Sequence, residues 1–165
     1  IFQHQFHIGF DMQLPETNGI GYILRITDLK NKEIFNVFLD ESKDDIIELN
    51  REGYRELITY KFDQHELKDK HWFRFSLNFN LDRKIITMRI NGHQMNVYEA
   101  HLPKKMKPNP VFGKSDSMID VPAFGMKELI ISGDGKTVEF PLRQSQGNEV
   151  YDKNGNGVGC VQNPY

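Results

Sequence analysis

Residues 72–81 read WFRFSLNFNL, and this stretch decides the fold because apolar and polar residues alternate along it. The apolar positions are odd-numbered, from Phe73 to Leu81, and the polar positions are even-numbered, from Arg74 to Asn80. A period of two places successive side chains on opposite faces of an extended chain. The stretch therefore predicts a β-strand with one buried face and one exposed face.

The same alternation recurs along most of the chain. Further strands are predicted at 6–14, 21–28, 33–39, 46–49, 54–62, 84–90, 94–98, 127–132 and 136–142. Asn18-Gly19 and Asn91-Gly92 are strong turn signals between strands. A helix over 45–58 is the competing interpretation there, and 103–110 reads as irregular because it is rich in proline. Short strands with turns at this spacing indicate an all-β fold, an antiparallel β-sandwich.

Size and charge narrow the class of protein. With 165 residues the chain has room for one domain with its own core. Its 21 Lys and Arg residues and 23 Asp and Glu residues give a net charge of −2, which argues against a nucleic-acid partner. No apolar run approaches the roughly 18 residues of a membrane-spanning helix. The single cysteine, Cys160, is expected to be an ordinary thiol, and the start at Ile1 predicts a segment of a longer protein.

Three segments together resemble a known family. Residues 65–92 contain a Trp, an alternating strand and the hairpin sequence KIITMRING; 6–14 and 123–131 supply an early strand and a late one. The set resembles the concanavalin A-like jelly roll, in particular its laminin G-like branch, over about residues 1–142. The resemblance implies that the late strand returns beside the first and that Trp72 packs in the core, with contact to a ligand as the alternative for Trp72. It also implies a lectin-like or accessory role in an extracellular, cell-surface or periplasmic protein.

The C-terminal residues carry a second resemblance. Residues 149–152 and 159–165 are similar to the segment that joins such a jelly roll to a following repeat domain in bacterial surface proteins. We therefore expect 143–165 to be a polar linker and the chain to be an accessory module beside further domains of its parent protein.

Carbohydrate is the ligand class that the polar strand positions favour, because planar polar side chains bond sugar hydroxyls and aromatic rings stack on sugar rings. The candidate residues are His7, Gln13, Arg25, Arg74, Asn78 and Arg89. If their strands are neighbours, these side chains line one open sheet face and could hold a glycan or an anionic group. Ordinary solvent-facing alternation is the simpler interpretation of the same positions. Tyr54 and Tyr98 could add rings at a rim.

Calcium is a second candidate ligand. The sequence DKNGNG at 152–157 places oxygen-bearing side chains at Asp152, Asn154 and Asn156, as at the start of an EF-type loop. The twelfth position holds Asn163 in place of a bidentate Glu, so a plain Asn/Gly turn is the favoured interpretation. Asp116 and Asp120 flank a plausible rim loop but have no ligand spacing. No cofactor is predicted beyond this candidate calcium.

Catalysis has the weakest support in the sequence. Glycoside hydrolases of this fold use two Glu residues in an E-x-D-x-x-E strand. The nearest match here, residues 43–48, has Asp45 and Glu48 but Lys43 in place of the nucleophile. We therefore expect a non-enzymatic binding module. A structural or protein-interaction module is the alternative, and a divergent glycoside hydrolase ranks last.

Overall fold

The computed structural model describes residues 1–14, 20–40, 46–54, 56–63, 66, 71–113, 124–142 and 149–160. The elements in these residues are thirteen β-strands. They are β1 (Gln5–Gln13), β2 (Ile20–Asp28), β3 (Ile34–Asp40), β4 (Ile46–Arg51), β5 (Glu56–Lys61), β6 (Phe73–Asn80), β7 (Ile85–Ile90), β8 (His93–Tyr98), β9 (Pro108–Phe112), β10 (Gly125–Gly133), β11 (Lys136–Phe140), β12 (Glu149–Tyr151) and β13 (Gly157–Cys160).

The strands form two main antiparallel sheets. One has six strands in the order β11-β10-β1-β6-β7-β8, and the other has five in the order β5-β4-β3-β2-β9. The predicted antiparallel β-sandwich is confirmed. The late strand β10 does return beside β1, as the resemblance implied.

The core lies between the sheets and is built from the apolar side of the alternation. Phe6, Ile8 and Phe10 of β1 are fully buried, as are Phe75 and Phe79 of β6. Rings from opposite sheets meet there: the centroids of Phe35 and Phe79 are 5.0 Å apart, and those of Phe10 and Phe112 are 5.3 Å apart. Because the odd positions of β6 fill this core, its even positions point outward.

A buried ion pair ties the sheets together at one end. Arg51 of β4 is 4% exposed and bonds the carboxylate of Glu33 through both Nε and Nη2, at 2.7 Å each. Its Nη1 lies 3.4 Å from Oε1 of Glu99, which follows β8 of the other sheet. The Glu33 hydrogen bonds raise the pKa of Arg51 further above its already high value. The cation therefore stays charged and links the end of β4 to the residue before β3 and to the residue after β8.

Two segments contain strands that the sequence analysis did not predict. The prolines at 108 and 110 suggested irregular structure, but this segment is β9, an edge strand of the five-stranded sheet. An edge position tolerates Pro because one side of the strand needs no hydrogen-bond donors. The expected linker also contains the hairpin β12–β13, held to β11 by a 2.9 Å bond from Lys153 N to the Glu139 carbonyl. The strand interpretation of 46–62 is confirmed over the competing helix.

Candidate functional site

The outward-facing side of the six-stranded sheet, here called the polar face, is built from aligned rows of side chains. One row crosses Ser132, His7, Asn78, Thr87 and Asn96, and the next crosses Ile130, Gly9, Ser76, Arg89 and Gln94. A third row pairs Asp11 with Arg74. Antiparallel register thus brings residues from five strands onto one surface.

A small gap lies at the centre of the polar face, where Gly9 has no side chain. A Cβ atom at Gly9 would lie 3.1 Å from Nε2 of His7, 3.2 Å from Nη2 of Arg74 and 3.3 Å from Cβ of Ser76. We call this gap, bordered by His7, Arg74, Ser76 and Arg89, the Gly9 notch. The side chains of His7, Arg74 and Ser76 therefore fill this gap, and Gly9 itself is buried beneath them.

Arg74 is fixed beside the notch by its other terminal nitrogen. Its Nη1 donates to the Glu128 carbonyl at 2.9 Å and to Oδ1 of Asp11 at 3.2 Å. The Glu128 carbonyl is presented at a bulge, where the register between β1 and β10 shifts after Gly9 and Glu128 adopts a φ of 50°. A β-bulge changes the direction of the backbone groups at its extra residue, here the Glu128 carbonyl. The contacts on Nη1 leave Nη2 directed at the notch.

Arg89 is oriented by a chain of polar contacts on the other side of the notch. Its Nε donates to Oε1 of Gln94 at 2.8 Å. Oδ1 of Asn96 in turn accepts from the Thr87 hydroxyl at 2.7 Å and from Nε2 of Gln94 at 3.5 Å. This ladder orders Arg89 through a neutral partner, so its positive charge remains on the surface.

The surroundings of His7 lower the pKa of its imidazole. Burial and, after it, the positive charges of Arg74 and Arg89 lower the pKa of His7 below its ordinary 6.5. The imidazole is therefore mainly neutral at pH 7, and its Nε2 can act as donor or acceptor according to tautomer.

Aromatic rings stand at both ends of the polar face. Trp72 precedes β6, is 42% exposed and lies over Gly125, with Nζ of Lys127 at 4.2 Å from its ring centroid. Tyr98, 66% exposed, lies opposite Ile85 at the other end. The expectation that Trp72 packs in the core is wrong. Its even number, shared with Arg74 and Asn78, would have placed it on the outer face.

The structure brings together five of the six predicted sugar-binding residues on one sheet. His7, Arg74, Asn78 and Arg89 lie in adjacent rows, and Gln13 lies opposite Gly125 at the end of β1 near Trp72. Arg25 does not share this face: it belongs to β2 of the other sheet and pairs with Glu52 at 3.0 Å. Strand alternation predicts which side of a strand a residue occupies but does not assign the strand to a sheet.

A second concave feature lies at one end of the sandwich. A cleft of about 370 Å³ is lined by Phe62, Glu66, His71, Trp72, Phe73 and Asn91. Oε1 of Glu66 accepts from the Tyr60 hydroxyl at 2.9 Å and from Nδ2 of Asn91 at 2.8 Å, and its Oε2 accepts from Asp63 N at 2.7 Å. These hydrogen bonds fix the Glu66 carboxylate in the wall of the cleft.

The candidate calcium residues form a turn between β12 and β13. Oδ1 of Asp152 accepts from the backbone nitrogens of Asn154 at 2.9 Å and Asn156 at 2.8 Å, and its Oδ2 accepts from Nδ2 of Asn156 at 2.9 Å. Bonds from Asn156 hold the pKa of Asp152 below its ordinary value. This is the geometry of an Asn/Asp turn, and calcium binding here stays a prediction. Asp45, Asp116 and Asp120 lie outside the described residues, and Glu48 lies on β4.

No protein-family model matches the chain, and no curated protein matches it. Solved structures are similar to it in fold. Tailspike protein 2 of the Escherichia coli O157:H7 bacteriophage CAB120 matches with a TM-score of 0.54 and 11% identity, over 82% of this chain and 20% of that one. The extracellular region of zebrafish Gpr126/Adgrg6 matches with a TM-score of 0.49 and 11% identity, over 78% and 18%. Carbohydrate binding module CBM66 from Bacillus subtilis matches with a TM-score of 0.47 and 10% identity, over 76% and 73%.

These similarities are in the β-sandwich fold, and a shared fold does not identify a binding site. Within the described residues, no helix has the length and apolar character needed to cross a membrane.

Proposed function

We propose that the chain is a non-catalytic carbohydrate-binding module of a larger extracellular or surface protein, built on a concanavalin A-like, laminin G-like sandwich. The observation that carries the proposal is the composition of the polar face. Polar groups of His7, Asn78, Arg74 and Arg89 lie in adjacent rows, and the exposed ring of Trp72 lies at the end of the same face.

The chemistry of this face suits a sugar better than an apolar peptide or a lipid. Sugar hydroxyls need planar donors and acceptors, which the Asn and Arg side chains supply. A sugar ring also needs an apolar aromatic surface, which the part of the Trp72 ring not covered by Gly125 and Lys127 would supply. From Trp72 to Asn78 the outer positions of the strand extend roughly 20 Å at about 3.3 Å per residue. An extended ligand of several sugar units fits that length.

Binding on this face needs no bond-breaking step. The ligand is held by hydrogen bonds, stacking and shape, and the module would target its parent protein to a glycan surface. Asp11, which lies on the same face, is paired with Arg74 at 3.2 Å and serves to position that arginine.

A panel of neutral and acidic glycans tests the proposal, screened once with calcium and once with chelator. Binding that persists in chelator supports a site on the polar face. Binding that requires calcium moves the site toward the turn at Asp152. No binding to any glycan in either condition contradicts the proposed function.

A protein-interaction role is the second candidate, and one observation favours it. Val138 of β11 and Val158 of the adjoining hairpin are 41% and 45% exposed. Exposed apolar side chains on β11 and on the hairpin suit packing against a neighbouring domain. Retention of the purified chain by adjoining domains of its parent protein, together with a negative glycan screen, would favour this role.

A further inference from the structure

We propose that one end of the sandwich docks on the surface of an anionic lipid bilayer. This end, here called the lysine end, carries the turns and connections at 28–34, 51–54, 80–85 and 98–108. The ion pairs of Arg51 join the two sheets there. The inference goes beyond the proposed carbohydrate function and does not rest on it.

The four most exposed large apolar or aromatic side chains of the described residues all lie at the lysine end. Ile1 lies before β1, Leu29 follows β2, Tyr54 follows β4, and Tyr98 ends β8. They are 54–72% exposed, whereas the other large hydrophobic side chains on the surface are 38–45% exposed. In a bilayer, Leu and Ile enter the acyl boundary and Tyr favours the headgroup level. The composition of this surface therefore suits a membrane interface.

Lysines accompany these apolar side chains. Five of them are exposed: Lys30 and Lys32 beside Leu29, and Lys104, Lys105 and Lys107 between β8 and β9. The two segments are in contact, because Leu29 N donates to the Lys107 carbonyl at 3.0 Å. Lysine stems cover apolar surface while their ammonium groups stay in the polar layer. Clustered lysines are attracted to anionic headgroups.

A buried carboxylate holds the two lysine segments together. Asp28 is fully buried, and its Oδ1 accepts from the backbone nitrogens of Lys30 at 3.0 Å and Lys107 at 2.9 Å. Met106 is also fully buried, whereas Lys105 and Lys107 on either side of it are exposed. The lysines therefore extend from an ordered backbone, which lowers the conformational entropy lost on docking.

The acidic side chains of the lysine end have partners within the chain. Glu33 and Glu99 bind the buried Arg51. Further carboxylates are paired as follows: Glu52 with Arg25, Glu56 with the Thr59 hydroxyl, Asp82 with His4, and Asp134 with the backbone nitrogens of residues 3–5. In the turn at 28–33, both acids bind groups of the chain and both lysines are exposed. This turn therefore presents positive charge beside Leu29.

A bilayer suits this surface better than a soluble polyanion does. Lysines alone would serve either partner, but exposed Leu29 and Tyr98 contribute only where an apolar phase lies beyond the anionic groups. The polar face runs along the strands, and the lysine end lies at their tips. Docking by the tips therefore leaves the polar face open to a glycan.

Sedimentation of the whole chain with lipid vesicles tests the proposal. The probes are vesicles of phosphatidylcholine alone and vesicles that also contain about 30% phosphatidylglycerol, each at about 50 mM and about 500 mM salt. We expect about tenfold or more stronger binding to the anionic vesicles, because the lysines are attracted to their headgroups. High salt should reduce this preference because it screens exposed charges.

Matched charge variants assign the binding to the lysine end. Lys105→Gln combined with Lys107→Gln removes two charges there. The control, Lys61→Gln combined with Lys153→Gln, removes one charge at the opposite end of β5 and one in the β12–β13 hairpin. The first variant should bind anionic vesicles about tenfold or more weakly, and the control should bind as the wild type does.

A second pair of variants tests the apolar contribution. Leu29→Ser should weaken binding to anionic vesicles about threefold or more, because a polar side chain does not enter the acyl boundary. Val158→Ser is the control, since Val158 is 45% exposed in the β12–β13 hairpin. Circular dichroism confirms that each variant is folded.

Trp72 reports the orientation of the docked wild-type chain and needs no variant to fold. It precedes β6, and the lysine end lies beyond the last residue of that strand. At about 3.3 Å per residue, the strand separates the two by roughly 25 Å. Brominated acyl chains quench an indole that is close to them, so brominated anionic vesicles should leave the Trp72 emission unchanged.

Several outcomes would overturn the proposal. They are equal binding to neutral and anionic vesicles, no binding to either, equal losses in the lysine-end and control variants, and quenching of Trp72 by brominated lipid. Binding to dextran sulfate, a soluble polyanion, without binding to vesicles would also overturn it.

Discussion

The indole of Trp72 lies directly over Gly125: its Cη2 atom is 2.9 Å from the position that a Cβ atom on residue 125 would take. The backbone of β10 therefore forms the base on which the ring rests, and Lys127 lies over the ring at 4.2 Å from its centroid. The ring is ordered on the polar face without being buried in the core. A fixed, partly exposed aromatic ring loses little conformational freedom when a sugar stacks on it.

Trp72→Ala should weaken glycan binding about tenfold, or ~1.4 kcal/mol, because the stacking surface is lost. The free energy of unfolding should fall by about 1 kcal/mol or less, since the ring lies outside the core. Tyr54→Ala is the control, because Tyr54 is 67% exposed and follows β4 of the five-stranded sheet, where its ring contacts Arg51. Equal loss of binding in both variants would contradict a role for Trp72 in the site.

Tryptophan fluorescence should respond to ligand, because Trp72 is the single tryptophan of the chain. A sugar stacked on the indole removes water from it and should shift the emission to shorter wavelength. Gly125→Ala should alter the emission of the free protein too, since the new methyl group displaces the ring. Saturable glycan binding with unchanged emission would place the ligand away from Trp72.

The pKa of His7 should lie below 6.5 in the folded chain and rise toward that value in Arg74→Gln and Arg89→Gln. Burial, Arg74 and Arg89 all disfavour the imidazolium, whereas Asn78 and Ser132, its row neighbours, carry no charge. Nuclear magnetic resonance titration of the ring protons measures the shift. Arginine variants that leave the pKa unchanged would show that these side chains do not face His7.

The lowered pKa of His7 also predicts how the free energy of unfolding changes with pH. Below about pH 6.5 the unfolded chain binds a proton at residue 7 more readily than the folded chain does. The free energy of unfolding should therefore fall as pH drops from about 6.5 toward the lower folded pKa. His7→Gln should remove this part of the pH dependence. Urea unfolding at several pH values measures it, and the same dependence on pH in the wild type and the variant would contradict the prediction.

Arg51→Gln should destabilise the chain by about 3 kcal/mol or more, because Glu33 and Glu99 lose the buried cation that pairs with them. Arg25→Gln should cost about 1 kcal/mol or less, since its partner Glu52 is 49% exposed. Urea unfolding measures both. Similar costs for the two substitutions would show that burial does not distinguish these ion pairs.

Alternation was sufficient to predict the sandwich and the outer position of most site residues, because period two fixes which side of a strand a residue occupies. It could not place Arg25, since nothing local to β2 reports which sheet the strand joins. The Gly9 notch was not predictable either, because it depends on the register that sets Gly9 opposite Ser76. For Trp72, the alternation indicated the outer face and the family resemblance led the prediction to the core.

Carbohydrate binding on the polar face is tested most directly by titrating the ¹⁵N-labelled chain with the tightest glycan from the panel and following backbone and indole amide signals. The account predicts shifts confined to residues of the polar face: Gly9, Ser76, Asn78, Arg89 and the Trp72 indole. Shifts centred on the five-stranded sheet, or on the turn at Asp152, would contradict it.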